Sequence, residues 1–183
     1  MAHAAGRPAV FLDRDGVIVV PEFRAGRSFA PTSLGVFRIY DSAPKCLKQL
    51  KECGFLLVVV TNQPDVGRGV ISLAVIDEMH RRLRDALPVD DVRVCVHTSA
   101  DACACRKPKP GMLSAAAAAL GIALDRSFMI GDREGDIAAG RAAGCRTVFV
   151  DRDYAAEPKP QDADFVVRSL EEATACVLAQ TRK

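Results

Sequence analysis

Short apolar runs recur along the chain at residues 10–12, 56–60, 92–96, 128–130 and 147–150. Near-continuous runs of this length predict central strands of a parallel sheet, buried on both faces. Between them the apolar positions take helical spacing over residues 43–52, 73–87, 112–120 and 137–143. Ser72 is placed to cap the second helix, and Gly54, Gly121 and Gly144 to end the first, third and fourth. A short strand at residues 165–167 and a helix at 170–178 complete the series. Strand and helix in alternation predict an α/β fold, a Rossmann-like doubly wound parallel sheet. The Pro-containing stretch 21–31 reads as an ordered surface loop, and 157–161 as a connection.

A length of 183 residues suits one domain over 1–183 with a full core and is short for two. The net charge of +2, with basic residues scattered apart from Arg106, Lys107 and Lys109, gives no field that argues for a nucleic-acid or membrane partner. No run has the length of a membrane span, and residues 1–8 are too short and polar for a secretory signal. A cytoplasmic monomer is the expectation. Seven cysteines, an odd number, then point to metal binding, chemistry or burial instead of a disulfide framework. Cys46, Cys53, Cys145 and Cys176 read as small core or helix-face residues, and His80 as a helix-surface residue.

The first strand runs directly into Asp13-Arg14-Asp15-Gly16. Two carboxylates two residues apart at the carboxyl edge of a parallel sheet face the same way, where α/β proteins place ligands. Such a pair suits a nucleophile beside an acid/base group, with a divalent cation bridging carboxylate and phosphate oxygens. Thr61, Asn62 and Gln63 follow the second strand with a hydroxyl, amide donors and backbone N–H groups for a phosphate. Gly131-Asp132-Arg133-Glu134-Gly135-Asp136 follows the fourth, and Asp132 and Asp136 share a face if that segment is helical. Arg106 and Lys107 could neutralise a dianion. Each cluster alone has an ordinary explanation as a polar turn or helix cap; four of them in order at strand ends do not.

Cys95, His97, Cys103 and Cys105 form a second constellation, spaced C-x-H, five residues, C-x-C. This nitrogen and sulfur set suits tetrahedral zinc with no open position, so the metal is expected to be structural. It would pin a loop with few apolar side chains and fix Arg106 and Lys107 immediately downstream.

In order, the clusters resemble the four motifs of the haloacid dehalogenase-like phosphohydrolases: Asp13-Arg14-Asp15-Gly16-Val17, then Thr61, then Lys107, then Gly131-Asp132 with Asp136. The resemblance spans residues 9 to about 150. It implies that Asp13 attacks phosphorus to form an aspartyl-phosphate and that Asp15 is the general acid and base. It also implies that Thr61 and Lys107 hold the phosphoryl oxygens, and that Mg2+ sits on Asp13, the Asp15 backbone carbonyl and Asp132. Connection lengths leave no room for an inserted cap, which resembles the capless subgroup. Specificity would then come from residues 18–32, the turn at 64–69 and the zinc loop, with Asn62, Gln63, Arg106 and Arg133 as substrate contacts.

Within that group, CVHTSADACACRKPKPGM at residues 95–112 and TNQPDVGRG at 61–69 resemble the D-glycero-D-manno-heptose 1,7-bisphosphate phosphatases, with the histidinol-phosphate phosphatases as close relatives. The chain departs from their pattern at Val96, Thr98 and Arg133. A small phosphorylated metabolite is the expected partner. Polynucleotide 3′-phosphatase activity and a non-catalytic zinc-stabilised module are the other readings, the first disfavoured by weak basicity and by having two Tyr and no Trp for base stacking.

Overall fold

The computed structural model describes residues 6–181, so the reading of residues 1–8 as free of a signal lies partly outside the described residues. In chain order the elements begin with β1 (Ala9–Leu12), a hairpin of β2 (Glu22–Arg24) and β3 (Arg27–Phe29), α1 (Ala43–Glu52) and β4 (Leu56–Asn62). They continue with α2 (Pro64–Gly67), α3 (Leu73–Ala86), β5 (Asp91–Cys95), α4 (Gly111–Leu120) and β6 (Phe128–Gly131). The last are α5 (Glu134–Ala143), β7 (Arg146–Val150), β8 (Phe165–Val167) and α6 (Leu170–Gln180).

Six parallel strands form one sheet in the order β5-β4-β1-β6-β7-β8. Alternation along β1 shows why its run is apolar throughout. Val10 and Leu12 join the core under α1 and α6, whereas Ala9 and Phe11 join the core under α4 and α5. A fully buried aliphatic side chain contributes about 1.5–3 kcal/mol, so β1 is held firmly from both sides. From β1 the chain winds out to β4 and β5, then returns to lay β6 along the other edge of β1. The crevice beyond the carboxyl ends of β1 and β6 is therefore the switch point, where such sheets bind ligands.

Three sequence expectations are corrected. Residues 21–31 contain the β2–β3 hairpin, closed by Ala25 and Gly26, both with positive φ (49° and 73°), the conformation that tight hairpins demand. The apolar run at 92–96 is not a central strand: β5 lies at the sheet edge, half-buried, with an Asp91–Arg93 ion pair of 2.6 Å on it. His80 is buried, not on the helix surface, because α3 turns Ile76, Met79, His80 and Leu83 inward together. Between β1 and β4 lie only the hairpin and α1, and between β4 and β5 only α2 and α3, so no cap is inserted at either point. Among the described residues no helix is long and apolar enough to cross a membrane.

Candidate active site

β1 delivers Asp13 to the switch point, where its N–H donates to the Ile130 carbonyl of β6 at 2.9 Å. The chain then turns at Gly16, with φ of +94°. A Cβ there would lie 2.0 Å from Asp132 Oδ2 and 2.7 Å from the Tyr154 hydroxyl, so only glycine lets the first loop pass beneath Asp132.

Lys107 is the hub of the site. Its buried ammonium donates to Asp13 Oδ1 at 2.6 Å and to the Val60 carbonyl at 2.7 Å, and pairs with Asp136 Oδ1 at 2.6 Å, which uses all three donors. Burial alone would lower its pKa; the carboxylates of Asp13 and Asp136 outweigh that and hold it above the usual lysine range. Both Asp136 oxygens are engaged, because Oδ2 also accepts from the Arg133 N–H at 3.1 Å and caps α5. Asp132 precedes α5, so the expected shared helical face with Asp136 is not formed; the two meet through the turn between β6 and α5.

Asp132 differs from Asp136. Its Oδ2 accepts the Tyr154 hydroxyl at 2.7 Å, but Oδ1 is buried with no partner among the described residues. Burial first, then the nearby Asp13 and Asp136 charges, raise its pKa well above the carboxylate range. Asp13, Asp132 and Asp136 bring carboxylate oxygens within 4.8 Å of one another. An orphaned oxygen among hard anionic donors fits a cation such as Mg2+, with Asp13 and Asp132 free to hold it. Tyr154 comes from the loop after β7, and no local pattern in the sequence marks it.

Asp15 is held from behind. The Arg14 fork donates from Nε to Oδ1 at 3.0 Å and from Nη2 to Oδ2 at 2.9 Å, and Gln63 Nε2 adds a bond to Oδ2 at 2.8 Å. Gln63 also donates to Thr61 Oγ1 at 2.9 Å. Expected as a substrate contact, Gln63 is buried and its amide is engaged with Asp15 and Thr61. Asn62 clasps the backbone of Lys107 at both ends, donating to its carbonyl and accepting its N–H, each at 3.1 Å. Arg133 reaches the hairpin, donating to the Ser28 carbonyl and hydroxyl at 2.6 Å and pairing with Glu157 at 2.8 Å. The resulting pocket, about 590 Å³, has Asp13 and Asp15 in its wall, with Arg27, Arg68, Arg106 and Arg133 also lining it.

Beyond β5 the second constellation closes on one point. Cys95 Sγ lies 3.2 Å from Cys105 Sγ and 3.7 Å from Cys103 Sγ, and the Cys103–Cys105 pair is 3.4 Å apart. His97 Nδ1 stands 3.6 Å from Cys95 Sγ and 3.3 Å from Cys105 Sγ. Zinc bonds of about 2.3 Å to sulfur and 2.0 Å to nitrogen set tetrahedral edges of roughly 3.5–3.8 Å, so the donors fit zinc. Burial first, then the neighbouring Cys105, push the Cys95 thiol up to about 12, so a metal taken here must displace its proton. Arg106 Nη1 donates to the His97 carbonyl at 3.3 Å, which ties the loop to the residue beside Lys107.

Sheet order, a buried aspartate at the switch point and a lysine brought over it by a separate loop define a haloacid dehalogenase-like phosphatase. The HAD-hydrolase-like family model matches residues 104–173. The chain is 35% identical over 139 residues to a D-glycero-β-D-manno-heptose-1,7-bisphosphate 7-phosphatase of Helicobacter pylori, covering 72% of this chain and 76% of the relative. It is 36% identical over 149 residues to the enzyme of that name from Pseudomonas aeruginosa, covering 79% and 81%. A crystal structure of a D,D-heptose 1,7-bisphosphate phosphatase from B. bronchiseptica with magnesium and phosphate superposes with a TM-score of 0.81 at 26% identity, over 94% of this chain and 99% of that one. The chain belongs to this heptose bisphosphate phosphatase family.

Proposed function

We propose that the protein removes the 7-phosphate of D-glycero-β-D-manno-heptose 1,7-bisphosphate through an aspartyl-phosphate. The observation that carries the chemistry is the meeting of Asp13, Lys107 and the unpartnered Asp132 oxygen at one strand edge. The names of the relatives and of the B. bronchiseptica structure support the substrate.

In the first step an Asp13 oxygen attacks phosphorus as the bond to the sugar oxygen breaks. Asp15 gives that oxygen its proton, since a sugar alkoxide is too basic to leave bare. In the second step water attacks the phosphorus of the aspartyl-phosphate, passes a proton to Asp15 and returns Asp13 as a carboxylate. Lys107 fixes the Asp13 carboxylate through Oδ1 and sets a positive charge beside the phosphoryl group. The Thr61 hydroxyl, oriented by Gln63, faces the same oxygens. Mg2+, held by Asp13, Asp132 and the Asp15 carbonyl, supplies positive charge against the phosphate when bound. Zinc on Cys95, His97, Cys103 and Cys105 is structural, and Arg106 contacts the sugar end of the substrate. Cysteines that serve as zinc ligands, in a chain with an odd number of them, support a reducing compartment, the cytoplasm.

The test compares kcat/KM with Mg2+ on the heptose bisphosphate, histidinol phosphate and a 3′-phosphorylated oligonucleotide. Preference for the first supports the proposal, and preference for either other substrate overturns it. Absence of phosphate release from all three, and from an aryl phosphate, would make the chain a binding module.

A further inference from the structure

Among the described residues Arg14 is the largest fully buried side chain. Its guanidinium has five donors and no acceptor, and burying it costs several kcal/mol unless those donors are met. Nε and Nη2 are spent on Asp15. Nη1 lies 3.2 Å from His80 Nε2, its partner among the described residues, and the Phe37 ring lies 5.8 Å from the guanidinium carbon. Since Arg14 can only donate, His80 Nε2 accepts, and the imidazole is neutral with its proton on Nδ1. Burial, then the charges of Arg14 and Arg84, pull the His80 pKa down to about 3, in keeping with that neutral ring.

We propose that His80 is a positioning residue for proton transfer: from α3 it holds the Arg14 fork in the plane that aims the Asp15 carboxylate. The proposal rests on the reading of Asp15 as the general acid and base. A bidentate fork fixes a carboxylate in rotation as well as distance, but only while the fork itself cannot turn. Without an acceptor at Nη1, a buried donor is stranded, and the guanidinium can recover a bond only by rotating. Asp15, bonded through the other two nitrogens, would rotate with it. His80 is buried and is not among the residues lining the pocket, so the effect reaches the reaction through orientation alone.

The experiment uses the Mg2+-loaded full chain and two substrates, the heptose bisphosphate, which leaves as an alkoxide, and 4-nitrophenyl phosphate, whose leaving group needs little proton help. kcat/KM reports steps up to leaving-group departure, so later hydrolysis does not enter the comparison. Asp15→Asn is the control and should depress the sugar substrate far more than the aryl one. An equal effect there would overturn the acid/base reading itself. With that control in place, His80→Met, which fills the space without a strong acceptor, should lower kcat/KM on the sugar substrate roughly tenfold and leave the aryl phosphate within about twofold. His80→Gln, which restores an acceptor, should recover most of the loss. Equal losses on both substrates, or none, in a folded His80→Met protein would overturn the proposal. Ring-nitrogen NMR of the wild type needs no variant: an unprotonated Nε2 supports the proposal, and a proton on Nε2 overturns it.

Discussion

Tyr154 donates its hydroxyl to Asp132 Oδ2 at 2.7 Å, and the other Asp132 oxygen, close to the Asp13 and Asp136 carboxylates, has no partner among the described residues. The tyrosine thus chooses which oxygen is left for a cation and lowers the carboxyl's appetite for a proton. Tyr154→Phe should raise the Mg2+ concentration for half-maximal phosphate release about tenfold, as lost outer contacts to metal ligands do. A Mg2+ titration of activity, paired with calorimetry on the same variant, checks it.

Acid strength at this site links metal to pH. Burial pushes Asp136 up to about 6 from an ordinary 3.8, against the pull of Lys107, and Asp132 is raised as well. A raised carboxyl takes up a proton on folding, so its contribution to stability falls as pH rises from about 4 through about 6. Of the two, it is Asp132 for which Mg2+ competes with the proton, since both Asp136 oxygens are engaged. The gain in melting temperature from Mg2+ should therefore be small at pH 5 and larger at pH 7. His80 gives the opposite slope below about 6.5, but with and without Mg2+ alike, so it cancels from the difference. Melting curves with Mg2+ or chelator across that range are the measurement.

Elemental analysis of protein purified without chelator should find about one zinc per chain. Cys103→Ser should lose that zinc and melt earlier, with damage to phosphate release following the loosened loop. Protein free of zinc in which protease still spares residues 95–107 would contradict the assignment.

Arg106 and its neighbour should separate substrate recognition from chemistry. Arg106 is half-buried at the pocket, whereas Lys107 is buried between two carboxylates. Arg106→Ala should lower kcat/KM for the heptose bisphosphate roughly tenfold to a hundredfold, the loss of a charged hydrogen bond, and spare an aryl phosphate. Lys107→Ala should cripple both substrates. It should also cost about 3–5 kcal/mol of stability, because Asp13 and Asp136 lose a buried counter-charge. Parallel kinetics and urea unfolding distinguish the two.

How much of this was legible in the chain depends on range. The placement of Asp13 and Asp15 at the sheet edge was readable because an apolar strand hands them to its own end, and the meeting of Cys95, His97, Cys103 and Cys105 because all four fall within one short segment. His80 was misplaced by its residue type, although its spacing four beyond Ile76 puts it on the buried stripe of α3. Tyr154 was invisible for a different reason: its partner is 22 residues away and the two meet only because β6 and β7 are neighbours. The hairpin escaped because its strands are three residues each and mostly exposed, too short for a period to show.

That hairpin is stapled to the body by Arg133, Glu157 and the packing of Phe23 on Tyr154, with ring centroids 5.6 Å apart. A wall fastened at several points, over a pocket lined with arginines, leaves little for a closing motion to do. For the proposed substrate, a doubly phosphorylated sugar, selection then falls on the approach: bound Mg2+ would tip the lining, where five basic side chains face five carboxylates, toward positive charge, and added salt would weaken that attraction. The enzyme's preference for such a substrate over a singly charged competitor should therefore narrow as ionic strength rises, making discrimination a property of the surrounding medium as much as of the contacts inside.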